Sequence, residues 1–163
     1  SSDEINKLLI DQYEILQNIA EKHGEIVTHI KPHGALFGMT SKYEHCAEAI
    51  ADVAKIFGVP LIGQANTMHD TVYTQRNLKW WPEFYADLEY DNACNLIITR
   101  EHIAYEPKAV AERALRALNE GLVTSIDGTD VPIHYETICI HSDTPGIEEV
   151  APVLHEALSK HMD

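Results

Sequence analysis

Two short polar runs in this chain combine groups able to bind an anion, move a proton and let a ligand approach closely. The first is Lys31-Pro32-His33-Gly34-Ala35-Leu36. Its lysine supplies a cation and its histidine a group that titrates near neutrality, while the proline stiffens the turn and the glycine lets backbone come close to a ligand. The second, His141-Ser142-Asp143-Thr144-Pro145-Gly146, sets an imidazole near a carboxylate. Glu83 and Asp87 add two acids around a middle apolar segment. Each run also has a purely structural reading. The first fits a tight strand-to-helix turn with solvated side chains, and the second fits a helix cap made by Asp143 or Thr144. A nucleophile triad on Ser142 is disfavoured, because adjacent residues at a strand end point apart.

The elements that must position these groups follow from periodicity. Ser1 with Glu4 forms a capping box, and Ile5, Leu8, Leu9, Leu16 and Ile19 recur near helical spacing up to Gly24. Residues 25–30 read as a buried strand, which makes His29 a packed or hydrogen-bonded core residue. Ser41 with Glu44 gives a second capping-box pattern, opening a helix to Gly58, and residues 59–63 read as a strand. A helix capped by Asn66 or Thr67 runs to about Arg76, followed by a strand around 81–86 despite Pro82 and another at 96–99. Pro107 opens a helix that Gly121 ends. Residues 122–125 and 131–133 flank a hairpin turn, 136–140 form a strand, and a last helix spans about 147–161. Helix and strand alternate, so the expected class is α/β with a largely parallel sheet, one domain over residues 1–163. Lys31, His33, His141 and Asp143 then follow strand ends, the edge where such folds assemble active sites.

Composition narrows the function. A chain of 163 residues, 45% apolar, suits one globular core that buries roughly 70% of its unfolded surface. A formal charge of −14 argues against a nucleic-acid partner, which needs clustered Lys and Arg. No run approaches the ~20 apolar residues of a membrane span, and the opening residues do not resemble a secretory signal, so the expected location is cytoplasmic. Three widely spaced cysteines, Cys46, Cys94 and Cys139, read as buried thiols. Ten histidines invite a metal, but there is no His-Glu-x-x-His helix and no close ligand pair. A metal site would need His33, His141 and a carboxylate to meet through folding. Glycine-rich phosphate loops are absent from the sequence.

With these residues in view, the chain resembles the LamB/YcsF family over nearly its whole length. The match rests on Thr28-His29-Ile30-Lys31-Pro32-His33-Gly34-Ala35-Leu36, on Glu83-Phe84-Tyr85-Ala86-Asp87 and on Thr137-Ile138-Cys139-Ile140-His141-Ser142-Asp143-Thr144-Pro145. The resemblance implies part of a distorted (β/α) barrel of the glycoside hydrolase/deacetylase type. It also implies ATP-dependent opening of the lactam of 5-oxoproline to glutamate, with separate B and C subunits. By that analogy His33 and Asp143 carry protons and Lys31 stabilises negative charge, while Glu83, Asp87, His141 and Arg100 bind the small-molecule substrate. ATP is the expected cofactor, bound here or with the partner subunits. Three positions depart from the family pattern: Leu88 replaces an arginine, Phe37 a tyrosine and Ser142 a glycine. The family's opening segment has no counterpart here, so a companion chain or a homo-oligomer is the expected partner. Two alternatives accompany this reading, a metal-dependent deacetylase-like hydrolase and a catalytically inactive binding or scaffold subunit.

Overall fold

The computed structural model describes residues 1–99 and 103–161, and the chain divides into two compact units, Ser1–Glu83 and Phe84–Asp163. The first unit holds α1 (Ser2–Lys22), α2 (Gly34–Lys42), α3 (Glu44–Phe57), β1 (Leu61–Gly63), α4 (Met68–Gln75) and the start of β2 (Trp80–Tyr85). Its core is the inner face of α3, where Ala47, Ile50, Ala51, Val53 and Ala54 are buried against Leu61, Val72 and Tyr73. Each fully buried Ile or Val contributes roughly 1.5–3 kcal/mol, and the alanines let neighbouring backbones approach. Gly58, at φ 66°, ends α3 in the left-handed conformation that glycine adopts without strain. α1 starts with the expected capping box of Ser1 and Glu4. It lies on α3 through Ile5, Leu9, Ile10 and Tyr13, with Tyr13 stacked on Phe57 at 3.8 Å between centroids.

β1 pairs in parallel with β2, Leu61 opposite Trp80 and Gly63 opposite Pro82. Ile30 bridges Leu61, also in parallel. The expected strand at 25–30 shrinks to that single bridge. Ile30 exchanges bonds with Pro60 and Ile62, but the Val27 N–H donates to the Gln17 side chain at 3.1 Å, and the run is largely exposed. Apolar composition favoured a strand, whereas a ladder needs a partner for each amide. His29 is correspondingly exposed rather than core, its Nδ1 sharing a 2.9 Å hydrogen bond with Thr28. The second capping box is also corrected. Ser41 lies inside α2 and donates to the Gly38 carbonyl at 3.1 Å, so α3 starts after Tyr43 with no side-chain cap. α2 has little amphipathic pattern, which is why periodicity passed over it.

One histidine ties this unit together. His69, on α4, is completely buried. The Gln64 N–H donates to its Nδ1 at 3.1 Å, which places the ring hydrogen on Nε2 facing the Thr40 hydroxyl at 2.7 Å. Thr40 in turn donates to the Phe37 carbonyl at 3.0 Å. The ring packs edge-on against Phe37 and stacks on Tyr73, and a side chain at Gly63 would collide with its Cβ at 2.8 Å. The helix that follows His33 is therefore fixed to the end of β1 through a neutral imidazole.

The second unit holds β3 (Glu89–Tyr90), β4 (Leu96–Ile97), α5 (Pro107–Glu120), β5 (Leu122–Thr124), β6 (Asp130–Pro132), β7 (Thr137–Cys139) and α6 (Ile147–Ser159). As expected, Pro107 opens α5 and Gly121 closes it, and the Glu106 carboxylate caps it by accepting from the Ala109 N–H at 3.0 Å. β5 and β6 form the anticipated antiparallel hairpin, and β3 and β4 add a second antiparallel pair. Val110, Ala111, Ala114 and Ala117 of α5 are buried, as are Val150 and Leu154 of α6. The cap expected from Asp143 or Thr144 is absent. Gly146 occupies that place without a side-chain bond, and Thr144 is engaged elsewhere.

Burial pushes His69 down to about 4. Between its ordinary value of 6.5 and about 4 the unfolded chain binds a proton that the folded unit does not. The associated stability is complete above that window and is lost as pH falls through it, by roughly 3 kcal/mol for a shift of this size. Urea unfolding near pH 7 and pH 4 should show a drop in the wild type that is smaller by about this amount in His69→Gln. Equal drops in the two proteins would remove His69 as the cause.

Candidate active site

In the first unit, Lys31 follows the Ile30 bridge and Glu83 lies on β2. Leu61 donates its N–H toward Lys79 and Ile62 toward Ile30, so Ile30 and β2 flank β1 on opposite sides. The long stem of Lys31 spans the end of β1 to bring Nζ to Glu83 Oε2 at 2.5 Å. Glu83 is buried at 5% side-chain exposure and Lys31 is partly buried at 13%. A buried pair of this kind costs desolvation, and its loss on one side leaves an uncompensated charge. Pro32 is buried and holds the turn. His33 is exposed at the N-cap of α2 with extended backbone, and its carbonyl accepts from the Phe37 N–H at 3.4 Å.

In the second unit, the end of β2 and β7 lie side by side, with the Ala86 N–H donating to the Cys139 carbonyl at 3.2 Å. The residues just beyond, Asp87 and His141, are thereby brought together. Asp87, 1% exposed, receives three donors. The His141 N–H reaches its Oδ2 at 2.7 Å and the Thr144 hydroxyl the same oxygen at 2.9 Å, while His141 Nδ1 stands 3.0 Å from Oδ1. Burial alone would raise the Asp87 carboxyl, but the His141 ring, the His141 backbone and Thr144 together hold it below its ordinary range. An ionised carboxylate only accepts, so Nδ1 carries a hydrogen. The same bond pushes His141 up, reinforced by Cys139 and opposed by burial. Tyr85 stacks on the imidazole at 5.8 Å with the planes 15° apart.

The structure thus joins Lys31 to Glu83, and Asp87 to His141. Asp143 lies exposed in the turn after β7. Arg100 falls outside the described residues. Leu88, the position where the family pattern has arginine, is buried at 8% exposure. Thr144, read from sequence as a helix cap, proves to be a ligand of Asp87. Among the described residues no three His, Cys, Asp or Glu side chains converge as a metal site, and no helix is long and apolar enough to cross a membrane.

A family model described as LamB/YcsF matches residues 1–162. The chain belongs to the LamB/YcsF family. Among the relatives of this LamB/YcsF chain, a 5-oxoprolinase A subunit of Pseudomonas putida is 34% identical over 160 residues, covering 97% of this chain and 64% of the relative. Lactam utilization protein lamB of Emericella nidulans is 32% identical over 155 residues, covering 92% and 60%. The crystal structure of a lactam utilization protein from Thermus thermophilus superposes with a TM-score of 0.90 at 29% identity, over 99% of this chain and 66% of that one. The mixed α/β architecture with parallel pairing is therefore that of the LamB/YcsF barrel. This chain spans a little under two thirds of the length of these relatives.

The ion pair contributes stability only while Asp87 is ionised and His141 protonated. It is lost as pH falls through the depressed Asp87 value and again as pH rises through the elevated His141 value. An NMR titration should place the His141 ring well above the ordinary imidazole range. In Asp87→Asn the midpoint should fall by about one to three pH units. An unchanged midpoint would show that Asp87 does not set the charge of His141.

Proposed function

We propose that this chain is the ring-opening component of an ATP-dependent 5-oxoprolinase, working with B and C subunits. The carrying observation is the Asp87–His141–Thr144 cluster, built where two neighbouring strands end, in a member of a family whose relatives are named as 5-oxoprolinase A subunits and as a lactam utilization protein. Opening a lactam requires water to add at the carbonyl carbon and the ring nitrogen to leave with a proton. In this reading His141, held by Asp87, gives that proton, and its charge is matched by a carboxylate that does not move. In the first unit, Lys31, paired with Glu83, is assigned to stabilising negative charge. His33 and Asp143, both exposed, are further proton carriers, Arg100 is assigned to binding the substrate, and Asp87 acts through His141. The sequence has no glycine-rich phosphate loop, which favours a partner subunit as the place of ATP. ATP is therefore assigned to the partner subunits.

A partner is also supported by an apolar groove of about 330 Å³ in the first unit, lined by Leu9, Tyr13, Leu16, Val27, Ile30 and Lys31. On α1, Leu8, Ile15, Leu16 and Ile19 are 49–62% exposed. Contiguous apolar surface of this kind marks an interaction face. We assign it to further polypeptide of the family fold, which the longer relatives contain. Native mass spectrometry should detect a stable complex with such a polypeptide, and a homo-oligomer that excludes it would overturn the assignment.

A second reading, a binding subunit without turnover, draws on Leu88 in place of the family's arginine, since a guanidinium clamps anions that leucine cannot. Turnover separates the two. In the reconstituted assembly with ATP and 5-oxoproline, His141→Ala should lower kcat by about 10²–10⁴-fold, the usual value of a positioned acid or base. Lys31→Ala should also cause a large loss of turnover. Unchanged glutamate production in both variants would favour the binding subunit.

A further inference from the structure

The contacts around the end of β1 close into a circuit. Lys31 leads through Pro32 and His33 into α2, whose Thr40 hydroxyl stands 2.7 Å from His69 Nε2. His69 Nδ1 accepts from the Gln64 N–H at 3.1 Å. Gln64 directly follows Gly63, whose register partner Pro82 directly precedes Glu83, and Glu83 returns to Lys31 as its ion partner. Each bond through the imidazole has a fixed direction. The Gln64 amide donates to Nδ1, Nε2 donates to Thr40, and Thr40 donates to the Phe37 carbonyl. Thr40 and His69 are both completely buried. The end of β1 sits so close that a Cβ at Gly63 would lie 2.8 Å from the His69 Cβ.

Packing alone does not require this histidine. Phe37 and Tyr73 border the ring, and an apolar side chain would fill such a space without the desolvation that a buried polar group costs. What the imidazole adds is two bonds of set length and direction, one to each arm of the circuit. We propose that His69 is a positioning residue for Lys31. Acting through Thr40 and Gln64, it fixes the arm that carries the ammonium relative to the strand end beside Glu83. Its consequence for turnover rests on the reading of Lys31 as the group that stabilises negative charge. Such a group works by being held in place before the reaction, and a misplacement of about 1 Å costs up to about 10²-fold in rate.

The experiment follows the Lys31 side-chain ammonium by NMR in the full chain carrying isotope-labelled lysine. Held in the ion pair, its hydrogens should exchange with water at least about tenfold more slowly than those of the exposed Lys22. Thr40→Val should erase about that factor, and Thr40→Ser, which keeps the hydroxyl, should retain it. Exchange at Lys31 that is the same in Thr40→Val as in the wild type would overturn the proposal, as would an equal change in Thr40→Ser. If Thr40→Val fails to fold, seen as collapse of the amide spectrum, His69→Asn is read in its place by the same rule. It keeps an acceptor for Gln64 and loses the donor to Thr40. Turnover in the reconstituted assembly then separates positioning from the role of Lys31. With ATP and 5-oxoproline, Thr40→Val should lower kcat by about tenfold or more with KM within about twofold, and Thr40→Ser should keep the wild-type kcat. A kcat lowered by Lys31→Ala but unchanged in Thr40→Val overturns the proposal. A kcat unchanged in both, with Lys31 exchange altered as expected, supports the positioning and removes Lys31 from the reaction.

Discussion

A carboxylate almost wholly removed from water governs the second unit. Asp87 is stable there only because a backbone amide, a hydroxyl and an imidazole all donate to it, and removing any one leaves a buried acceptor short of a partner at about 1–3 kcal/mol. The three donors come from a single stretch after β7, so the same bonds that satisfy Asp87 fix the path of the chain into α6. The stretch from His141 to Thr144 is pinned at both ends to one carboxylate. That rigidity gives the imidazole a defined direction, and the direction decides which nitrogen is offered to a ligand.

The first unit solves a similar problem with opposite electrostatics. Its buried polar group, His69, is kept neutral, with one acceptor and one donor satisfied and aromatic rings on its faces. Lys31 and Glu83 instead form an ion pair at contact distance. Buried ions tolerate few rearrangements, because each alternative arrangement exposes an unmatched charge to an apolar surrounding. The turn at Pro32 is thus specified from both ends, by the ion pair before it and by the Thr40–His69 link after it.

The sequence made part of this legible, unevenly. α3 and α5 carried clear 3.6-residue periodicity with glycine stops, and the hairpin of β5 and β6 carried its turn. Residues 25–30 carried strand composition, yet pairing is a property of neighbours, and only Ile30 found one. Ser41 and Glu44 had the spacing of a capping box, but Ser41 was already spent inside α2. Lys31, Glu83, Asp87 and His141 stood out by type, while their pairings depended on which strands adjoin. Thr144 looked like a cap because Asp87 lies far away in sequence. Nothing in the spacing around His69 announces its burial. The three cysteines read as buried thiols, but only Cys46 is buried, while Cys94 and Cys139 are partly exposed.

The separation of Asp87 from its partners has a consequence for how the molecule comes together. His141 is 54 residues away along the chain and Thr144 57. Joining them closes a long loop, whose entropy must be met before any of the three bonds is formed. α5 and the hairpin of β5 and β6 lie inside that loop and depend on short-range contacts, so they are available early. The site is accordingly among the last features to form. A chain still folding has its helices before it has its imidazole–carboxylate pair.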